Sequence, residues 1–354
     1  MGGLSIEAST PPWYEAIPWT PLRRLALSAY AVVFVIAAND NGVPIDRDRV
    51  LLWVLGALLC ASIGKAPKQI AWLVVDWLPF ALVLIGYDYS RGWADSVGSS
   101  VHYTPQIDAD KLLFWGHIPT EWLQEHLFTN RLVPNTVGGL AVRARGPVRW
   151  YEVVFDLTYL SHYLASFALA GVLWARDRKR FVTYARRFVT LSFAGFLTYV
   201  IFPAAPPWLA ARDGYIDPLV GRVGGRGNPE IGLEFATKLI DRGQATVNFV
   251  AAIPSLHAGF ATLIAITFWR SLPRPARPLL ALYPLLMGLT LVATGEHYVV
   301  DIIIGVFYAL GVNAGWNAVE RRLVSRTTAV SPIDQRTAEE SVTMTIAPPL
   351  ESDS

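Results

Sequence analysis

Apolar runs approaching the length of a bilayer crossing recur from residue 22 to residue 319, and basic residues punctuate the gaps between them. A bilayer core asks for about 20 apolar residues per helical crossing, and it offers no water to an exposed peptide group. The chain therefore reads as an all-α, polytopic transmembrane helical bundle. Of its 354 residues 53% are hydrophobic and 16% charged, more apolar mass and less charge than a soluble domain needs. A net charge of +2 is too small to argue for a nucleic-acid partner. The single cysteine, Cys60, lies in an apolar run and has no partner for an internal disulfide.

About eight spans are expected, at 22–38, 50–63, 70–87, 150–175, 188–202, 257–269, 279–293 and 297–319. Residues 1–21 form an N-terminal tail that lacks the basic start and apolar core of a cleavable signal, so the first span is expected to direct insertion. Residues 22–149 hold three spans and an external segment in which 112–128 is amphipathic and Trp-rich, suited to lie along the interface. A second membrane domain occupies 150–322, and the Pro- and Gly-rich stretch 203–252 within it reads as a loop over one face. Residues 323–354, rich in Ser, Thr, Pro and Glu, read as a disordered tail.

Basic clusters fix an orientation. Arg23 and Arg24 precede the first span, Lys65 and Lys68 follow the second, and Arg176, Arg178, Lys179, Arg180, Arg186 and Arg187 follow the fourth. Arg270, Arg274 and Arg277 follow the sixth, and Arg321, Arg322 and Arg326 the eighth. With eight spans all five clusters share one side, which the positive-inside rule makes cytoplasmic, together with both termini. The sixth and eighth spans then begin at the external face, here of the plasma membrane.

Two polar motifs mark those starts: Ile-Pro-Ser-Leu-His at 253–257 and Glu-His-Tyr-Val-Val-Asp at 296–301. Ionisable groups within a span are costly and usually functional. His297 and Asp301 are one helical turn apart, so the carboxylate can accept a proton from one imidazole nitrogen and leave the other free as nucleophile or base. Ser255 is a good helix cap, and the free N–H groups of a helix start form an anion site, with His257 in the first turn. Two histidines, one steered by a carboxylate, beside an anion site point to phosphoryl transfer through a phosphohistidine.

IPSLHAG (253–259) and GEHYVVDIIIG (295–305) resemble the second and third motifs of the type 2 phosphatidic acid phosphatase superfamily. They are more similar to its inositolphosphotransferase-like branch, which contains fungal inositol phosphorylceramide synthase. YVIFPAAPPW (199–208) and FDLTYLSHYL (155–164) resemble further segments of that branch, and the likeness covers about residues 150–320. It implies a six-helix lipid phosphatase core. It also implies that His297 attacks phosphorus, that Asp301 orients it, and that His257 protonates the departing oxygen and later activates water or an alcohol. Ser255 and nearby amides would hold phosphate oxygens. The superfamily's Arg six residues before the nucleophile is Leu291 here. Because phosphoryl transfer needs positive charge on the transferring oxygens, the cation is sought among Arg212, Arg222, Arg226 and Arg242 of the 203–252 loop.

Other readings compete. Eight spans with intramembrane Asp and His also fit a proton-coupled membrane transporter, although no repeat relates the two halves. A metalloprotease is disfavoured because Glu-His-x3-Asp lacks the His-Glu-x2-His order. Asp156 and His162, inside the fourth span, suit helix–helix bonding as well as a substrate role. His102, His117 and His126 are spaced irregularly and read as loop histidines, so neither a metal nor another cofactor is expected. Trp115, Trp122 and Trp208 read as an interface belt. The expected partner is a membrane lipid carrying a phosphate ester: a lipid phosphate, an isoprenoid phosphate or a phosphoinositide. The acceptor and the oligomeric state stay open.

Overall fold

The computed structural model describes residues 17–41, 47–96, 100–128, 132–134, 142–144, 146–232 and 249–344. Arg242 lies outside the described residues. Helices dominate them: α1 (Trp19–Asn41), α2 (Arg47–Ala61), α3 (Pro67–Ser96), α4 (Thr104–Leu113), α5 (Pro119–Phe128), α6 (Trp150–Arg176), α7 (Arg178–Ile201), α8 (Pro207–Arg212), α9 (Leu256–Trp269), α10 (Arg277–Ala293) and α11 (Val299–Met344). Strands β1 (Leu132–Pro134) and β2 (Val142–Ala144) pair antiparallel, an element the sequence did not announce.

Most of each expected span lies within one helix. Among the described residues four helical segments are long and apolar enough to cross a membrane, Trp19–Ala38, Ile70–Tyr87, Arg274–Ala293 and Val299–Ser325, and α6 makes a fifth if its two halves count together. Those halves meet at a 49° bend between His162 and Leu164. Just before it, Thr158 and Ser161 donate their hydroxyls back to the carbonyls of Val154 and Thr158, contacts that bend helices. Leu51–Ala61 and Leu256–Trp269 are apolar but shorter.

Three boundaries differ from expectation. Helix α7 starts at Arg178 rather than 188, because the Asp177 side chain accepts from Arg180 N at 3.0 Å and caps a helix directly after α6. Its basic residues are helical, not a loop, and Arg187 is buried. The amphipathic segment is two helices, since Trp115 and Gly116 take positive φ (53° and 91°) and Pro119 opens the second. The last helix runs to Met344, across much of the segment expected to be a disordered tail; Ala338, Glu339 and Glu340 are good helix formers there.

Basic residues gather at one end of the residue 17–309 unit. Arg23 donates to Ile63 O, Lys65 lies over the Trp174 ring, Arg178 pairs with Asp76, and Arg180 donates to Thr267 O and Ser271. Thr267 is ten residues beyond His257 on α9, about 15 Å along the helix, so the polar motifs sit at the other end of that helix. Between the two ends runs an aromatic core. Phe80 stacks on Phe188 (5.1 Å between ring centroids), Phe188 on Phe260 (4.6 Å), and Phe260 faces His162 (5.7 Å).

Candidate active site

Helix α9 begins where Ser255 accepts from Ala258 N at 3.4 Å, the cap its residue type promised. Ser255 N donates to Asp301 O at 3.0 Å, tying this start to the first turn of α11. The two helices approach closely because position 305 is glycine: a Cβ there would lie 2.2 Å from Ser255 O. Docking the helix starts in this way brings their histidines together. The rings of His257 and His297 have centroids 5.6 Å apart.

Asp301 is fully buried and its Oδ2 is 3.4 Å from His297 Nδ1 while accepting from Tyr298 N at 3.0 Å. An imidazole held in this way through Nδ1 presents Nε2 outward. Both histidines line one cleft. One part of its wall is apolar and aromatic, including Val83, Tyr87, Phe167 and Phe196; the polar part carries His162, Arg222, Glu296 and the two motif histidines. A cleft with one oily and one polar flank fits an amphiphile.

The loop arginines separate. Arg222 lines the cleft, is 9% exposed, pairs with Glu296 and lies 5.6 Å over the Trp208 ring. Arg226 pairs with Glu152 at the start of α6 and donates to Gly146 O. Arg212 forms an ion pair with Asp213, whose carboxyl it holds below the usual range. Neither Arg212 nor Arg226 lines the cleft. Ser255 does not line it either, and its hydroxyl is engaged as the helix cap.

Trp208 corrects the interface-belt reading: it is 3% exposed, and the guanidinium of Arg212 (5.9 Å) as well as that of Arg222 lies over its ring. Trp115 and Trp122 are exposed as a belt requires. His162, undecided from sequence, lies tilted against His257 with centroids 3.9 Å apart. Asp156 accepts from Gly225 N and Gly227 N and so pins the loop that carries Arg222. No short-range spacing links 156 or 162 to the motifs, so their partners are decided by packing, α6 against α9 for His162 and α6 against the 225–227 loop for Asp156. Among the described residues no three His, Cys, Asp or Glu side chains form a metal-binding group.

Residues 142–314 match the PAP2 superfamily. This chain carries a PAP2 superfamily domain. The match contains His257, His297 and Asp301, and it agrees with the resemblance carried by the two motifs. The chain is 26% identical over 258 residues to the phosphoinositol dihydroceramide synthase of Bacteroides thetaiotaomicron, covering 69% of this chain and 75% of that protein. It is 30% identical over 155 residues to the inositol phosphorylceramide synthase catalytic subunit of Schizosaccharomyces pombe, covering 42% of this chain and 36% of that one. No solved structure gives a significant match.

Proposed function

We propose that this PAP2 protein is an integral membrane phosphotransferase acting on a lipid phosphate ester through a phosphohistidine. The observation that carries the reading is the convergence of His257 and His297, from separate helices, in one half-apolar cleft with Asp301 behind His297. In the first half-reaction His297 Nε2 attacks phosphorus, a P–N bond forms and the P–O bond to the leaving alcohol breaks. His257 gives that oxygen its proton. Asp301 accepts from Nδ1–H and stabilises the positive charge that develops on the ring. In the second half an acceptor oxygen attacks phosphorus, the P–N bond breaks, and the acceptor proton passes to His257. Arg222 supplies charge for the phosphoryl oxygens, and Trp208 and Glu296 hold its guanidinium in place.

Transfer is preferred to hydrolysis because the relatives are named as a phosphoinositol dihydroceramide synthase and an inositol phosphorylceramide synthase catalytic subunit. By that analogy the donor is a phosphoinositide and the acceptor a lipid alcohol. The positive-inside rule supports a site at the external leaflet. The test uses purified protein with phosphatidylinositol, phosphatidic acid and isoprenoid phosphate, each with and without ceramide, in EDTA. With phosphatidylinositol and ceramide the expected product is a new phosphodiester, formed without added metal and absent in His297→Ala. Release of inorganic phosphate alone would replace the transferase by a phosphatase. Full turnover in His297→Ala would remove the phosphohistidine.

A further inference from the structure

Two short helices that precede the PAP2 match hold the catalytic segments by hydrogen bonds the mechanism above does not use. On α4, Asp110 is fully buried and accepts from Val300 N at 2.9 Å and Val299 N at 3.1 Å. Those amides open α11 and have no carbonyl of their own helix to bond. Asp301 takes the Tyr298 amide. The two carboxylates together fix the backbone between the nucleophilic His297 and its orienting partner.

On α5, Gln124 is 1% exposed and uses its amide on three backbone groups. Its Nε2 donates to Gly221 O (2.8 Å) and Ala293 O (3.1 Å), while its Oε1 accepts from Gly221 N (2.9 Å). It thereby laces the residue before Arg222 to the end of α10, just ahead of Glu296 and His297. The approach is close: a Cβ on Gly295, whose φ is 78°, would lie 2.4 Å from Gly221 O and 3.1 Å from Gln124 Nε2. Val223 N donates to Thr294 O and Trp208 N to Gly295 O across the same seam. Neither Asp110 nor Gln124 lines the cleft.

We infer that Asp110 and Gln124 are positioning residues: α4 and α5 form a brace, outside the PAP2 match, that sets His297 relative to Arg222. The inference rests on the proposed reaction for its kinetic part and on hydrogen bonding alone for its structural part. Each residue replaces a missing backbone partner at a segment end. Losing one frees the helix start or the loop without removing a group that touches substrate, so turnover suffers more than binding.

The test compares Asp110→Asn, Asp110→Ala and Gln124→Ala with wild type by amide hydrogen exchange of the detergent-solubilised full chain and by phosphotransferase kinetics. Asp108→Asn, an exposed site on the same helix, is the control expected to change neither. Exchange is expected to rise about tenfold in peptides covering 297–303 for Asp110 variants and 219–224 for Gln124→Ala, while α3 and α7 keep their protection. Turnover should fall about 10- to 100-fold with KM within about twofold. If Asp110→Ala does not accumulate, Asp110→Asn, which keeps one acceptor oxygen, carries the comparison. Unchanged exchange in these peptides overturns the brace, and so does faster exchange with undiminished kcat. A wild type that turns over no lipid phosphate ester defeats the proposed function instead; exchange then decides the brace by the same criterion.

Discussion

At the scale of single residues, the unusual feature is a cation chosen by packing rather than by motif. Leu291 fills the position where the superfamily places an arginine, and it is wholly buried among Ala261 and Met287. Arg222 reaches the cleft from a loop 75 positions upstream of His297 by number, held by Asp156 beneath its loop and by Glu296 beside it. Arg222→Ala is expected to lower kcat by about 10²-fold, since one fixed cation on the transferring oxygens is removed, while Arg226→Ala leaves kcat within about twofold; steady-state kinetics on the two variants checks this. Arg222→Lys should recover only part of the loss, because an ammonium cannot keep both the Glu296 contact and the position over the Trp208 ring. Sequence alone offered four arginines without a ranking. Loop residues acquire their partners from distant helices, and no periodicity encodes that.

At the scale of elements, the site depends on two helix starts meeting. Gly305→Ala would push a methyl into the Ser255 carbonyl, and backbone cannot step aside as a flexible side chain can. Overpacking of this kind costs about 1–3 kcal/mol, so a lower melting temperature in detergent is expected together with a larger loss of kcat. Helix α4 brings a titration. Burial pushes the Asp110 carboxyl up to about 6, with the Asp301 charge adding and the Val299 and Val300 amides opposing. The native state then holds a proton that the unfolded chain has released between pH 4 and pH 6. By linkage this group's contribution to stability falls as pH rises through that window and is flat above it. Melting curves from pH 4 to 8 should show the wild-type advantage over Asp110→Asn narrowing up to pH 6 and constant beyond. Of these elements, the spans and the Ser255 cap were readable from apolar length and residue type. The early start of α7 was not, because five basic residues concealed a helix that Asp177 caps.

At the scale of the whole molecule, charge and chemistry occupy opposite ends of α9. Arg180 meets the Thr267 and Ser271 end while His257 stands at the other. With the basic end cytoplasmic, a cysteine at Leu219, exposed in the Arg222 loop, should react with a membrane-impermeant maleimide on intact cells in a Cys60→Ser background. A cysteine at Arg274 should react only after lysis. The reverse pattern would invert the topology and place the site inside. The transporter alternative finds no support in the PAP2 match, which spans both motifs.

Composition, apolar run length and the spacing of His297 from Asp301 sufficed to determine a helical membrane protein with a carboxylate-steered histidine, because those properties are local and a helix turns them directly into geometry. Which histidine faces His257, which arginine reaches the cleft, and that Asp110 and Gln124 hold its edges were decided only by tertiary packing. Burial makes a polar group seek whichever partner the fold brings within hydrogen-bond reach, and that partner lies at no fixed distance along the chain.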